Sequence, residues 1–139
     1  MTIAPTFASG RFCWLDLAAT DADRAKRFYA DLFGWRAHEQ PANGGAFTRL
    51  SLADCDVGSL YPLRRGQVER GVPSHWTPYV CVDDIEATAG RAVALGGQLL
   101  VQPFEVSGVA RIALVADAVR ARVGLWEPVA TRAIAGARG

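Results

Sequence analysis

From Arg11 to Trp35 the spacing of apolar residues changes period once. Phe12 to Ala18 alternates, with Cys13, Leu15 and Leu17 on one side and Trp14, Asp16 and Ala18 on the other, the pattern of a strand. Ala25, Phe28, Tyr29, Leu32 and Phe33 then recur at i, i+3, i+4, i+7 and i+8, which predicts a helix with one apolar stripe. That stripe is expected to cover the Cys13/Leu15/Leu17 face. Thr20 and Asp23 have the spacing of a capping box, so the helix should begin near Asp21, and Gly34 stands where a C-terminal glycine cap belongs.

The pattern returns 63 residues later. Asp21 falls on Asp84, Leu17 on Val80, Leu32 on Leu95 and Gly34 on Gly97, and Asp83 with Glu86 repeats the capping box. The two copies also end alike: GSLYP resembles VGLWEP, with Ser59 over Gly124 and Tyr61 over Trp126 at an offset of 65. Further alternating runs predict strands at Arg36–Glu39, Ala46–Leu52 and Val57–Tyr61 in the first copy. In the second they fall at Trp76–Val82, Gln98–Gln102, Val109–Ala116 and Arg122–Trp126, with a helix at Asp84–Leu95. Gln40–Gly45 and Pro103–Gly108 read as loops from their Pro, Asn and Gly content. The expectation is an α+β chain of two βαβββ modules, 11–62 and 76–128. A linker without periodicity at 63–75 separates them, an arm (1–10) and a tail (129–139) flank them, and the whole forms one structural domain.

With 139 residues, half of them hydrophobic, the chain is long enough to bury about two-thirds of its unfolded surface. A net charge of +1 gives no electrostatic footprint for nucleic acid or an anionic membrane. No run approaches the ~18 apolar residues of a membrane span, and the opening residues do not read as a signal peptide, so the cytoplasm is the default expectation. Three cysteines without CxxC spacing argue against a disulfide framework and a cysteine-rich zinc site.

The repeat, with the run Asp21, Phe28, Tyr29, Gly34, Trp35 and the phrases WLDLAATD and VGLW, resembles the vicinal oxygen chelate superfamily of glyoxalase I, bleomycin-resistance proteins and extradiol dioxygenases. The resemblance covers roughly Arg11 to Pro128. It implies curved mixed sheets forming a half-open barrel around a cavity, helices outside, and a homodimer. It also places the family's metal ligands on Trp14 and Thr77, early in the first strand of each module, and on Ser59 and Gly124 in the last strands. None of the four is a histidine or a carboxylate, which hard and borderline divalent metals require. No cofactor is therefore expected, although a divalent metal using His75 or Glu127 after a register slip stays open.

Alternation assigns Trp14, Asp16, Ser59, Tyr61, Thr77, Tyr79, Cys81, Arg111, Gly124 and Trp126 to the concave face. Such an aromatic lining suits a planar or aromatic small molecule held between the modules, or else it simply fills a closed barrel. Asp16 must be paired, hydrogen-bonded or protonated there, with Arg111 or Arg49 the expected partner. It serves either as a general base or ligand anchor, or as a structural tether. Two functions stay open: a metal-free binding protein, and a glyoxalase-type lyase, isomerase or dioxygenase using an unrecognised metal site or Asp16 with a tyrosine.

Overall fold

The computed structural model describes residues 8–42, 45–106 and 108–129; most of the expected arm, part of the 40–45 loop, Ser107 and most of the tail lie outside them. The elements run β1 (Phe12–Ala19), α1 (Ala22–Phe33), β2 (Arg36–Ala42), β3 (Gly45–Leu52), β4 (Cys55–Pro62), α2 (Arg65–Glu69), β5 (His75–Cys81), α3 (Ile85–Ala94), β6 (Gln98–Val106), β7 (Ala110–Ala116) and β8 (Arg122–Pro128). They form two compact units, one of Leu15–Thr77 and one of residues 8–14 with 78–129.

In the first unit the strand order is β2-β3-β4-β1, antiparallel except that β1 runs parallel to β4, with Asp16 opposite Ser59 and Ala18 opposite Tyr61. In the second it is β6-β7-β8-β5, again with one parallel pair, β5 with β8. The 63-residue repeat is thus a repeat of topology, and each copy is the expected βαβββ module.

Each module has its own core. In the first, Leu17, Ala19, Leu50 and Leu60 pack under Ala22, Ala25 and Tyr29 of α1. In the second, Val82, Ala113, Val115 and Leu125 pack under Ile85, Ala89 and Ala92 of α3. The caps lie one residue later than the spacing suggested. Asp21 Oδ1 accepts the Arg24 N–H at 3.1 Å, and Asp84 Oδ1 accepts the Ala87 N–H at 3.1 Å, each from an extended N-cap residue. Thr20 instead bonds Ser74 through both its amide and its hydroxyl. Gly34 closes α1 in the left-handed conformation, φ 78°, its N–H donating to the Ala30 carbonyl.

The α1 stripe differs from expectation. Only Ala25 and Tyr29 of the five reach the core, while Phe28, Leu32 and Phe33 are 57, 57 and 51% exposed. Tyr29 is the hub of an aromatic cluster instead. It stacks on Trp35 (centroids 5.1 Å apart) and Phe33 (6.1 Å), meets Phe28 and Trp76 edge-on, and its hydroxyl accepts from Trp76 Nε1 at 3.3 Å.

Three segments read as loop or linker carry regular structure. Of the expected Gln40–Gly45 loop, Gln40–Ala42 continue β2 and Gly45 opens β3, because the β2–β3 ladder runs on to the Ala42–Gly45 pair. Within 63–75, Arg65–Glu69 forms a short helix, because the Gln67 side chain reaches back to accept the Arg64 N–H at 3.0 Å and supplies half a capping box. β6 continues through Pro103 to Val106, because it is the outer strand of its sheet. Its register slips between Val101 and Phe104, so Pro103 needs no ladder donor there.

Candidate functional site

The second unit gathers an aromatic face. Paired residues on neighbouring strands share a face, and the register sets Tyr79 beside Gly124, Cys81 beside Trp126, Ile112 beside Trp126 and Leu114 beside Gly124. The Trp14 ring stacks on Trp126, with centroids 5.3 Å apart and planes 29° from parallel, and Tyr79 meets Trp126 edge-on at 6.0 Å. Trp14 and Trp126 are half-buried, whereas Tyr79 is only 3% exposed. The Tyr79 ring lies over Gly124: a β-carbon built there would overlap Cδ2 and Cε2 of the ring.

The same register corrects Arg111. Because Ile112 and Leu114 share the face of Trp126 and Gly124, Arg111 falls on the opposite side with Ala113 and Val115, beneath α3. Its guanidinium pairs with Glu86 in the first turn of α3, and Glu86, Glu127 and Glu105 hold it protonated. Arg111 is neither part of the aromatic face nor the partner of Asp16. Arg49, the other expected partner, pairs with Asp56. The residues missed on the aromatic face are Ile112 and Leu114; only the β7–β8 register, not alternation within one strand, identifies them.

Asp16 belongs to the first unit and is nine-tenths buried. Its Oδ1 accepts the Ser59 hydroxyl at 2.8 Å, across the β1–β4 pair. Burial pushes its carboxyl up to about 7, and the Ser59 hydrogen bond offsets part of that rise. The group therefore changes charge near neutrality. Tyr61 is half-buried on the same face of β4 as Ser59, and Thr77 is buried on β5. Cys81 is buried too, its thiol held above the ordinary range by burial and by the nearby Asp83.

The places that the resemblance gives to metal ligands do not fit a divalent ion. Their side chains are an indole, two hydroxyls and none, the Ser59 hydroxyl already donates to Asp16, and the Tyr79 ring fills the space beside Gly124. His75 Nδ1, at the start of β5, lies 2.8 Å from the Pro73 carbonyl oxygen, and His38 Nε2, within the β2–β3 ladder, lies 2.8 Å from Ser51 Oγ; both are structural contacts. Asp84, Glu86 and Glu127 bring carboxylate oxygens within 4.8 Å of one another at the start of α3. There Asp84 caps the helix, Glu86 pairs with Arg111, and Glu127 Oε1 accepts the Ile85 N–H at 3.0 Å, which accounts for the cluster as helix capping.

No helix among the described residues is long and apolar enough to cross a membrane. Residues 14–121 match the family described as a glyoxalase-like domain. The Mycobacterium tuberculosis protein named "Putative glyoxylase CFP32" is 35% identical over 116 residues, 82% of this chain and 44% of that protein. The anthracycline biosynthesis protein DnrV of Streptomyces peucetius is 33% identical over 131 residues, 86% of this chain and 48% of that one. The chain thus spans less than half the length of either relative. Among solved structures, methylmalonyl-CoA epimerase from Mycobacterium tuberculosis superposes with a TM-score of 0.62 at 20% identity, over 88% of this chain and 93% of the epimerase. The repeated βαβββ module, its α+β sheet order and the matched residues agree: the chain belongs to the glyoxalase-like domain family, within the vicinal oxygen chelate superfamily.

Proposed function

We propose that the protein is a metal-free member of its family that binds a small planar or aromatic molecule against the Trp14/Trp126 face. The observation that carries this reading is the tryptophan stack itself. Two half-buried indoles, on β1 and β8, present π surface to a flat ring system, while the edge-on Tyr79 of the intervening β5 holds the orientation of Trp126. The donor chemistry at the four ligand places supports a site that works without an ion. A relative named for anthracycline biosynthesis is consistent with flat, fused-ring ligands in this family.

The test is a titration with a soluble fused-ring quinone, such as an anthraquinone sulfonate, followed by tryptophan fluorescence and calorimetry. Saturable quenching that Trp126→Ala removes supports the reading. Binding that survives Trp126→Ala moves the ligand elsewhere, and one stoichiometric divalent ion per chain by elemental analysis refutes the metal-free half.

A second reading rests on Asp16. A carboxyl that titrates at about 7 is matched to proton transfer at neutral pH, the task of a general base in a lyase or isomerase. Asp16→Asn then abolishes turnover of any substrate found, and retained turnover removes Asp16 from the chemistry.

The exposed side chains of Phe28, Leu32, Phe33, Leu52 and Trp76 in the first unit support a homodimer. Half-exposed aromatic and aliphatic residues each offer about 100 Å², so these five supply roughly 500 Å² of the ~800 Å² a standard interface takes from one partner. The occupant proposed is a second copy of this chain; a monomeric mass by light scattering at micromolar concentration refutes it.

A further inference from the structure

We propose that the face of the first unit turned away from α1 is a binding site for an aromatic carboxylate, with Arg49 as its anion anchor. Strand pairing builds the site. The register sets His38 beside Arg49, Arg49 beside Ser59 and Ser59 beside Asp16, so one polar row crosses β2, β3, β4 and β1. Leu50 and Leu60, the chain neighbours of Arg49 and Ser59, lie in the core beneath α1, which fixes the row on the opposite face. Hydrogen bonds hold that face together: Ser59 donates to Asp16 at 2.8 Å, Arg49 donates to Asp56 at 2.5 Å, and His38 bonds Ser51 at 2.8 Å. A slip in the β3–β4 register after Leu50 brings Asp56 within reach of Arg49, since Ser51 pairs with Asp56 and not with Val57.

Arg49 is placed to take an anion. Its side chain is 30% exposed, and among the described residues its guanidinium makes one bond, from Nη1 to the Asp56 carboxylate, which is itself only 2% exposed. A guanidinium carries five N–H donors in a planar fork. The buried carboxylate on one side steers the fork and leaves an edge for a second carboxylate to bind in bidentate fashion. Asp16, whose carboxyl is pushed up to about 7 by burial, keeps its proton below that pH and adds no competing negative charge to the row. Phe47, two residues before Arg49 on β3, and Tyr61, two beyond Ser59 on β4, are half-buried at the same end of the same face. Ring contact is therefore available beside the anchor, which favours an aromatic acid over an aliphatic one. The tryptophan stack belongs to the other unit and takes no part.

The experiment titrates the full chain at pH 6 with naphthoate and with naphthamide, its uncharged analogue of nearly the same shape, by calorimetry and by proton–nitrogen NMR. Naphthoate should bind saturably and about tenfold tighter than naphthamide, the worth of charge-assisted hydrogen bonds, with the largest amide shifts at residues 47–49 and 59–61. Arg49→Gln made together with Asp56→Asn removes the anchor without leaving a buried carboxylate bare, and should erase the preference for the acid. If that variant does not fold, the comparison of acid with amide on the wild-type chain still decides. Trp126→Ala should leave naphthoate binding unchanged even where it removes quinone binding, so the two sites stand or fall separately. The proposal is overturned by equal affinity for acid and amide, by a preference that survives the paired substitution, by amide shifts confined to the second unit, or by no naphthoate binding at millimolar concentration.

Discussion

The ring of Tyr79 occupies the space that any side chain at position 124 would need, so Gly124 is a packing partner of Tyr79 across the β5–β8 pair. Gly124→Ala is expected to destabilise the protein by about 1–3 kcal/mol through overpacking. In a Tyr79→Ala background the same change should be close to neutral, because the obstructing ring is gone. A double-mutant cycle by urea denaturation measures this; additive effects would show that the two residues do not compete for one volume.

Asp16 makes stability fall with rising pH. Its carboxyl titrates at about 7 in the fold against an ordinary value of 3.8, so between those values the folded state holds a proton that the unfolded chain has released. The folded state binds more protons, and stability declines as pH rises through that window, by an upper bound of ~4 kcal/mol, then levels off above pH 7. Asp16→Asn keeps an acceptor for Ser59 and cannot ionise. Its melting temperature should exceed that of wild type by a margin that grows from pH 4 to pH 7; a constant margin would mean that Asp16 is solvated.

The two helices should respond equally to loss of their caps. Asp21→Ala and Asp84→Ala each remove the side-chain acceptor of an N-terminal N–H and are expected to cost about 1 kcal/mol in thermal or chemical denaturation. Asp83→Ala should change little, since that residue holds no helix amide in the structure; a larger loss there than at Asp84 would move the cap back by one.

Tyr29→Phe keeps the stacked ring and removes only the acceptor of the Trp76 indole N–H. A loss of about 0.5–1.5 kcal/mol, with near-ultraviolet circular dichroism reporting an altered Trp76, is expected. No change in either signal would show that packing alone holds the cluster.

The architecture was legible because the repeat carries it. Asp21 and Asp84, 63 apart, do cap equivalent helices, and GSLYP and VGLWEP do end equivalent strands. What escaped was whatever depends on a neighbouring strand. The face of Arg111 is set by its pairing with Glu127 on β8, not by counting from the chain ends, and a one-residue error in parity reverses the face. The ordered course of β6 past Pro103 depends on its outer position and its bulge. The exposure of Phe28 and Leu32 depends on where α1 rests, since a stripe that wide exceeds the face that Ala22, Ala25 and Tyr29 need.

The Tyr79 ring over Gly124 also has a consequence for descent. Placing a carboxylate at position 124 alone drives it into the ring, while shrinking Tyr79 alone opens a void beside Trp126, a loss of a few kcal/mol for a buried aromatic. Each single step costs stability before the second can restore it. The glycine and the tyrosine thus act as an evolutionary ratchet: an acidic residue at that place is reached only through a destabilised intermediate.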